Sequence, residues 1–213
     1  MAQKLTKEWS TGYIVEHWVR VVSLVVLTFT GFYIHWPFMS GGPESFLMAW
    51  VRFFHFIAAY ALSLGLIVRV YMAFRSTFDA DWKDFSVVKN VKNVPDILAY
   101  YLFMKKTHKA IRKYNPLQAL FYLFTGLVII FTALTGGSLY HGNAFGFIPC
   151  PGSFQWVLSL LGGESNTRIW HILTMWFFIM FALVHVYMAI MITWVQKDRT
   201  FSSIFTGYKL KKN

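Results

Sequence analysis

Four long apolar segments constrain the fold of this chain more than any other feature of its sequence. They cover about residues 14–36, 50–74, 116–136 and 169–195. Each is long enough to cross the hydrocarbon core of a bilayer as an α-helix, which takes about 20 residues. None alternates between apolar and polar residues as a membrane β-strand does. The sequence therefore predicts an all-α membrane protein, a four-helix transmembrane bundle in a single domain covering residues 1–213.

Composition and length exclude several other classes of protein. Hydrophobic residues make up 56% of the chain and charged residues 14%, against about 25% charged residues in a typical soluble domain. At 213 residues, the chain is too short for a transporter built from two six-helix repeats. A single cysteine, Cys150, excludes an internal disulfide framework, a Cys-x-x-Cys zinc site and a Cys-x-x-Cys-His haem attachment.

The basic residues outside the spans are distributed very unevenly. Sixteen Lys and Arg lie in the two terminal tails and in the loop 75–115, whereas the segments between spans 1 and 2 and between spans 3 and 4 contain only Arg168. The positive-inside rule places both termini and the loop 75–115 in the cytoplasm. The net charge of +11 is thus interpreted as a topology signal, and no nucleic-acid partner is expected.

Besides His35 at the outer end of span 1, four of the seven histidines lie at or within the spans, where ionisable side chains are costly and indicate function. Counted from the non-cytoplasmic helix ends at about 1.5 Å per residue, His17 and His185 lie roughly 25 Å deep. On the same scale His55 and His171 lie within about 8 Å of that end. The four therefore form two groups, an inner pair (His17 and His185) and an outer pair (His55 and His171).

His171 and His185 share one predicted helix and are fourteen residues apart. Fourteen steps of about 100° end roughly 40° short of four full turns, so both side chains face the same way. Their separation along the axis, roughly 21 Å, suits two haems stacked across the bilayer, each held by two histidines. The pairs are too far apart to share one zinc ion. A proton relay would need carboxylates deep in a span, where none is expected.

Four arginines lie near these histidines. Arg20, Arg52 and Arg168 are each three residues from a span histidine, which places them on the same helix face. Arg69 lies towards the cytoplasmic end of span 2. All four are candidates to bind anionic haem propionates. Snorkelling to the membrane interface explains each of them equally well, and both interpretations remain open here.

Three stretches of the chain resemble the b-type cytochrome subunits of membrane-bound nickel–iron hydrogenases. The first-helix signature of that family is similar to the stretch from His17-Trp18-Val19 to Thr30-Gly31. Its fourth-helix signature is similar to Arg168-x-Trp170-His171 with Trp176, Phe181 and His185. The entry to its third helix, and that of the related formate dehydrogenase cytochrome, is similar to Tyr114-Asn115-Pro116-Leu117-Gln118.

This resemblance implies a dihaem cytochrome b in the bacterial cytoplasmic (inner) membrane, with His55 and His171 on the outer haem and His17 and His185 on the inner haem. It implies a membrane anchor for a periplasmic small iron–sulfur subunit and a large nickel–iron subunit. Electrons from H2 would pass through both haems to menaquinone or ubiquinone near the cytoplasmic side. The chain would be no enzyme alone, but the quinone-reducing electron-transfer subunit of an H2:quinone oxidoreductase.

The resemblance also implies a quinone site at the entry to the third helix. Asn115 would donate a hydrogen bond to a quinone carbonyl, with Tyr114 and Gln118 in the same environment and the free ring nitrogen of His185 contributing. Asn115 before Pro116 equally fits a helix N-cap followed by a first-turn proline. The two interpretations are compatible.

Alternative functions differ in partner or in class. The same electron-transfer role could serve a formate dehydrogenase or a thiosulfate reductase, and a stand-alone cytochrome b561 would bind haem without large partners. A haem-free scaffold or transporter subunit would use its histidines for hydrogen bonds between helices and would show no visible absorbance. The outer loops contain the aromatic residues Phe145, Phe147 and Trp156. These are expected either to contact a small subunit or to form an interfacial belt.

Overall fold

The computed structural model describes residues 3–38, 45–76, 78–85, 87–101, 104–105, 114–140, 143–144, 148–149 and 154–212. The helices are α1 (Thr11–His35), α2 (Phe46–Arg75), α3 (Val87–Tyr101), α4 (Pro116–Leu139), α5 (Gln155–Leu161), α6 (Glu164–Gln196) and α7 (Thr200–Thr206). The strands are β1 (Gln3–Lys7), β2 (Asn143–Ala144), β3 (Ile148–Pro149) and β4 (Tyr208–Lys212). A 3₁₀ turn covers Trp82–Phe85.

Four helices, α1, α2, α4 and α6, are long and apolar enough to cross a membrane. The prediction of a helical membrane protein with four spanning helices is therefore confirmed. Each of these helices extends beyond its predicted apolar segment at one end or both, and capping residues mark the starts of α1 and α6. Ser10 Oγ accepts a hydrogen bond from Tyr13 N at 3.2 Å at the start of α1. Gly162 and Gly163 adopt positive φ of 81° and 103° just before α6, a conformation that glycine adopts readily.

The spanning helices bury little of their apolar surface within the chain. Only 6% to 17% of the most apolar window of each span is buried, and side chains such as Phe29, 73% exposed, and Ile67, 65% exposed, face outwards. Soluble proteins rarely expose such large continuous apolar surfaces to water. The helices therefore require an apolar environment outside the chain, as an integral membrane protein has in lipid.

A two-stranded antiparallel ribbon joins the two ends of the chain. Strand β1 pairs with β4, with Leu5 opposite Leu210. Glu8 N donates to Gly207 O at 2.7 Å, and the indole of Trp18 in α1 donates to Ile204 O in α7 at 3.2 Å. The N-terminal and C-terminal segments consequently lie side by side. A second ribbon pairs β2 with β3.

The chain divides into two compact units, one formed by residues 1–65 and 129–213 and the other by residues 66–128. The first contains both histidine pairs. The second contains Arg69, the entry to α4 and the loop 75–115 predicted from the sequence, of which residues 87–101 form α3.

Candidate functional site

The structure brings the two histidines of the outer pair together. His55 projects from α2 and His171 from α6, with ring centres 6.4 Å apart and ring planes inclined at 59°. Each side chain is partly buried. Residues 116 positions apart in the sequence are thus neighbours, as expected from their similar depth.

The histidines of the inner pair are also neighbours. His17 in α1 and His185 in α6 have ring centres 6.4 Å apart and ring planes inclined at 39°. Phe181, one turn earlier in α6, stacks on His185 with ring centres 5.6 Å apart and planes within 15°. This stacking restricts the rotation of the His185 ring.

The spacing within each pair matches that of two imidazoles on opposite sides of one metal ion. Each ligand nitrogen lies roughly 2 Å from such a metal, and the ring centres are then about 6 to 6.5 Å apart. Both pairs have the spacing of 6.4 Å. The residues present therefore fit two bis-histidine haem sites, one for each pair.

Threonine hydroxyls contact both histidines of the outer pair. Thr30 Oγ1 in α1 lies 2.8 Å from His55 Nδ1, and Thr135 Oγ1 in α4 lies 3.0 Å from His171 Nδ1. Thr135 is completely buried. Two helices besides those carrying the histidines thus contribute to this part of the site.

A glycine follows each of these threonines and lies against the same histidine ring. A Cβ at Gly31 would be 3.6 Å from His55 Cε1, an ordinary van der Waals distance. A Cβ at Gly136 would be only 3.0 Å from His171 Cε1. The His171 ring therefore packs on the backbone of α4 where a larger residue would not fit without a shift.

Arg20, predicted as a propionate partner, is paired with a carboxylate in the structure. Its Nη2 donates to Glu16 Oε2 at 2.7 Å, and Glu16 is only 7% exposed. Glu16 is buried next to His17, but it lies in the first turn of the predicted span 14–36 and therefore not deep in that span. A Cβ at Gly65 would be 2.9 Å from Arg20 Cγ, so the Arg20 stem lies directly on α2.

The other three arginines occupy different environments. Arg168 pairs with Glu164 one turn earlier on α6. Arg52 is exposed on α2. Arg69, in the second unit, is 7% exposed. It donates to the backbone oxygen of Ala80 at 3.1 Å and lies 5.2 Å from the centre of the Phe85 ring.

The residues at the entry to α4 form a reciprocal helix cap. Asn115 Oδ1 accepts from Gln118 N at 2.8 Å, and Asn115 N donates to Gln118 Oε1 at 3.2 Å. This is the arrangement of a capping box, with Pro116 in the first turn. Tyr114 is 8% exposed and makes an edge contact with the Tyr122 ring at 5.0 Å. The capping interpretation of Asn115 is therefore correct, and its quinone role stays a prediction.

Of the predicted outer-loop aromatic residues, the structure describes only Trp156. Trp156 in α5 is 54% exposed, whereas Phe145, Phe147 and Cys150 lie outside the described residues. The sequence patterns do not single out Thr135-Gly136 or Glu16. Thr30-Gly31 recurs as Thr135-Gly136 in the third span, but the same span also contains Thr125-Gly126, so the dipeptide alone does not identify the site.

Comparison with known proteins finds relatives along nearly the whole chain. Residues 8–207 match the family model described as "Prokaryotic cytochrome b561". A "Probable Ni/Fe-hydrogenase B-type cytochrome subunit" of Azotobacter vinelandii is 33% identical, over 99% of this chain and 93% of that protein. One of the same description from Cupriavidus necator is 34% identical, over 99% and 89%. A "Probable Ni/Fe-hydrogenase 1 B-type cytochrome subunit" of Escherichia coli K12 is 30% identical, over 93% and 88%.

Proposed function

The chain belongs to the prokaryotic cytochrome b561 family, and we propose that it is the dihaem membrane anchor of a respiratory nickel–iron hydrogenase that passes electrons to quinone. The observation that carries this proposal is the pair of histidine couples, each 6.4 Å across. The names of the three relatives described above, each a hydrogenase B-type cytochrome subunit, support the partner.

Haem b, once bound, supplies a carrier that accepts and releases one electron at a time. The chain's own residues hold and orient it: His55 and His171 at the outer site, His17 and His185 at the inner site. Both sites draw one ligand from α6, so a single rigid helix sets their separation along its axis at about 21 Å.

The arginines are proposed to balance the negative charge of the propionates. Arg52 and Arg168 flank the outer pair and Arg20 lies beside the inner pair, three residues from the nearest histidine in each case. Glu16 already neutralises part of the charge of Arg20. Arg69 is the weakest of the four candidates, because its guanidinium group already donates to Ala80 O and lies over the Phe85 ring.

Quinone is proposed to bind at the entry to α4, with Asn115 as hydrogen-bond donor and Tyr114 and Gln118 beside it. Because Asn115 Oδ1 already accepts from Gln118 N, the amide nitrogen is the group that would donate to a quinone carbonyl. The quinone would be menaquinone or ubiquinone.

Positive-inside topology supports the orientation of the proposed pathway. With both termini in the cytoplasm of a bacterial inner membrane, the outer pair lies towards the periplasm, where the small iron–sulfur and large nickel–iron subunits would dock. The inner pair lies towards the cytoplasm. Electron transfer from outside to inside, with protons for quinol taken from the cytoplasm, would separate charge across the membrane.

The test is a haem count and a dithionite-reduced minus oxidised spectrum of the purified full-length chain. We expect two b haems per polypeptide. His171→Ala should remove one haem and His185→Ala the other, since each removes one ligand of a different pair. The control is His35→Ala, which alters an exposed histidine of α1 and should retain both haems.

Several outcomes would contradict the proposal. A chain purified without visible absorbance would favour a haem-free scaffold or transporter subunit. One haem per chain, lost in both alanine variants, would contradict two separate sites. Isolation of the native complex tests the partner: co-purification with formate dehydrogenase or thiosulfate reductase subunits, or with no large subunit, would contradict the hydrogenase assignment.

A further inference from the structure

The outer histidines are held by the same dipeptide on two different helices. Thr30-Gly31 of α1 faces His55, and Thr135-Gly136 of α4 faces His171. In each case the hydroxyl reaches Nδ1 of the ring while the following glycine leaves room for Cε1. The repeated arrangement points to a common task at this pair of histidines.

The hydrogen-bond partners of the two threonines favour one direction for both contacts. A hydroxyl carries one proton, and Thr30 Oγ1 donates it to Val26 O at 2.6 Å. Thr135 Oγ1 likewise donates to Phe131 O at 3.0 Å. With its proton on a backbone oxygen, each hydroxyl is left to accept from the facing histidine in the tautomer whose ring Nδ1 carries the proton. The Nε2 atoms of His55 and His171 then carry the lone pairs.

We propose that Thr30 and Thr135 are positioning residues of the outer site. They hold His55 and His171 in the tautomer whose Nε2 binds iron, and they lower the reduction potential of the haem bound there. The proposal rests on the proposed haem ligation. Its physical basis is that an acceptor on Nδ1–H fixes the orientation of a ligating imidazole and raises its basicity, which stabilises the oxidised iron.

The inner pair lacks this arrangement at one of its ligands. His17 Nδ1 is buried and has no hydrogen-bond partner within the described part of the chain. An imidazole without such an acceptor is a weaker electron donor to iron. The two sites should therefore differ in potential, with the outer site lower, and this difference favours electron transfer from the outer pair towards the inner pair.

The experiment is a spectroscopic redox titration of the full-length cytochrome carrying Thr30→Val, Thr135→Val or both. Each valine removes the hydroxyl oxygen that faces the histidine and keeps a similar side-chain volume. We expect one of the two midpoint potentials to rise in each single variant and to rise further in the double variant, while the other stays unchanged. Thr30→Ser and Thr135→Ser retain the hydroxyl and should restore the original potential.

The matched control is Thr28→Val. Thr28 lies two residues before Thr30 on α1, is also partly buried, and its hydroxyl donates to Leu24 O at 2.8 Å in the same way. This variant should leave both potentials unchanged. Equal potentials in Thr30→Val, Thr135→Val and Thr28→Val would overturn the proposal.

Loss of the outer haem is informative as well. If a valine variant loses that haem and the matching serine variant keeps it, the positioning role is supported. Loss in both the valine and the serine variant overturns it. A wild-type chain that holds two haems, with valine variants at unchanged potential, would refute this inference and leave the proposed function intact. A wild-type chain without haem would refute the proposed function itself.

Discussion

The two glycines of the outer site differ in how closely they approach their histidine rings. At Gly136 a Cβ would be 3.0 Å from His171 Cε1, whereas at Gly31 it would be 3.6 Å from His55 Cε1. An added methyl group at Gly136 would therefore force either the ring or the helix to move, whereas one at Gly31 would not. Insertion of a methyl group into a tightly packed site typically costs about 1–3 kcal/mol.

Gly136→Ala should therefore displace the His171 ring and weaken haem binding at the outer site, whereas Gly31→Ala should be tolerated. Haem content and the reduced-minus-oxidised spectrum of the two purified variants provide the measurement. Both changes add one methyl group next to a threonine, so each is a control for the other. Equal haem loss in both would show that crowding at His171 is not the cause.

At the residue scale, the sequence predicted which histidines lie together but not which side chains of other helices contact them. The pairing of His17 with His185 and of His55 with His171 follows from helical depth, because rise per residue is constant. The hydroxyl acceptor at Thr135 depends on a contact between α4 and α6 that periodicity does not encode. Glu16 was missed for a similar reason, since its burial depends on neighbours outside α1.

At the scale of elements, the reciprocal cap at the start of α4 serves two proposed purposes. Asn115 stabilises the helix start through its side-chain oxygen, and its amide nitrogen is the proposed donor to quinone. Substitutions can separate these roles, because aspartate retains the capping oxygen but cannot donate through an amide. Loss of an N-cap residue costs about 1 kcal/mol.

Asn115→Ala should lower the thermal stability of the chain and the rate of quinone reduction together. Asn115→Asp should retain most of the stability but lower quinone reduction by about 2- to 10-fold, the value of one neutral hydrogen bond. Melting temperature and quinone reduction by the intact complex are the two measurements. If Asn115→Asp reduces quinone at the wild-type rate, Asn115 is a helix cap only.

Hydropathy predicted the four spanning helices because each apolar run is long and uninterrupted, whereas helix ends and small elements required other information. The ends of α6 are set by Gly163 and by Lys197, which adopts φ of 52°, and neither contributes to apolarity. The ribbon of β1 and β4 joins Leu5 to Leu210, a pairing across nearly the whole chain. Such long-range pairings leave no local periodic pattern.

At the scale of the whole molecule, charge distribution and strand pairing both indicate that the two termini lie on the same side of the membrane. Sixteen basic residues lie in the tails and the loop 75–115. The pairing of β1 with β4 independently brings the tails together. A chain with an even number of spans has both ends on one side of the membrane, and the positive-inside rule predicts that this side is the cytoplasm.

Topology mapping with reporter fusions tests this orientation. A green fluorescent protein fused at the C-terminus or after Lys105 should fluoresce, because it folds in the cytoplasm. Alkaline phosphatase fused after Tyr140, at the end of α4, should be active, because that position is expected in the periplasm. Each reporter placed at the opposite position is the control and should be silent. Active phosphatase at the C-terminus would reverse the topology, place the inner pair towards the periplasm, and contradict docking of a periplasmic hydrogenase beside His55 and His171.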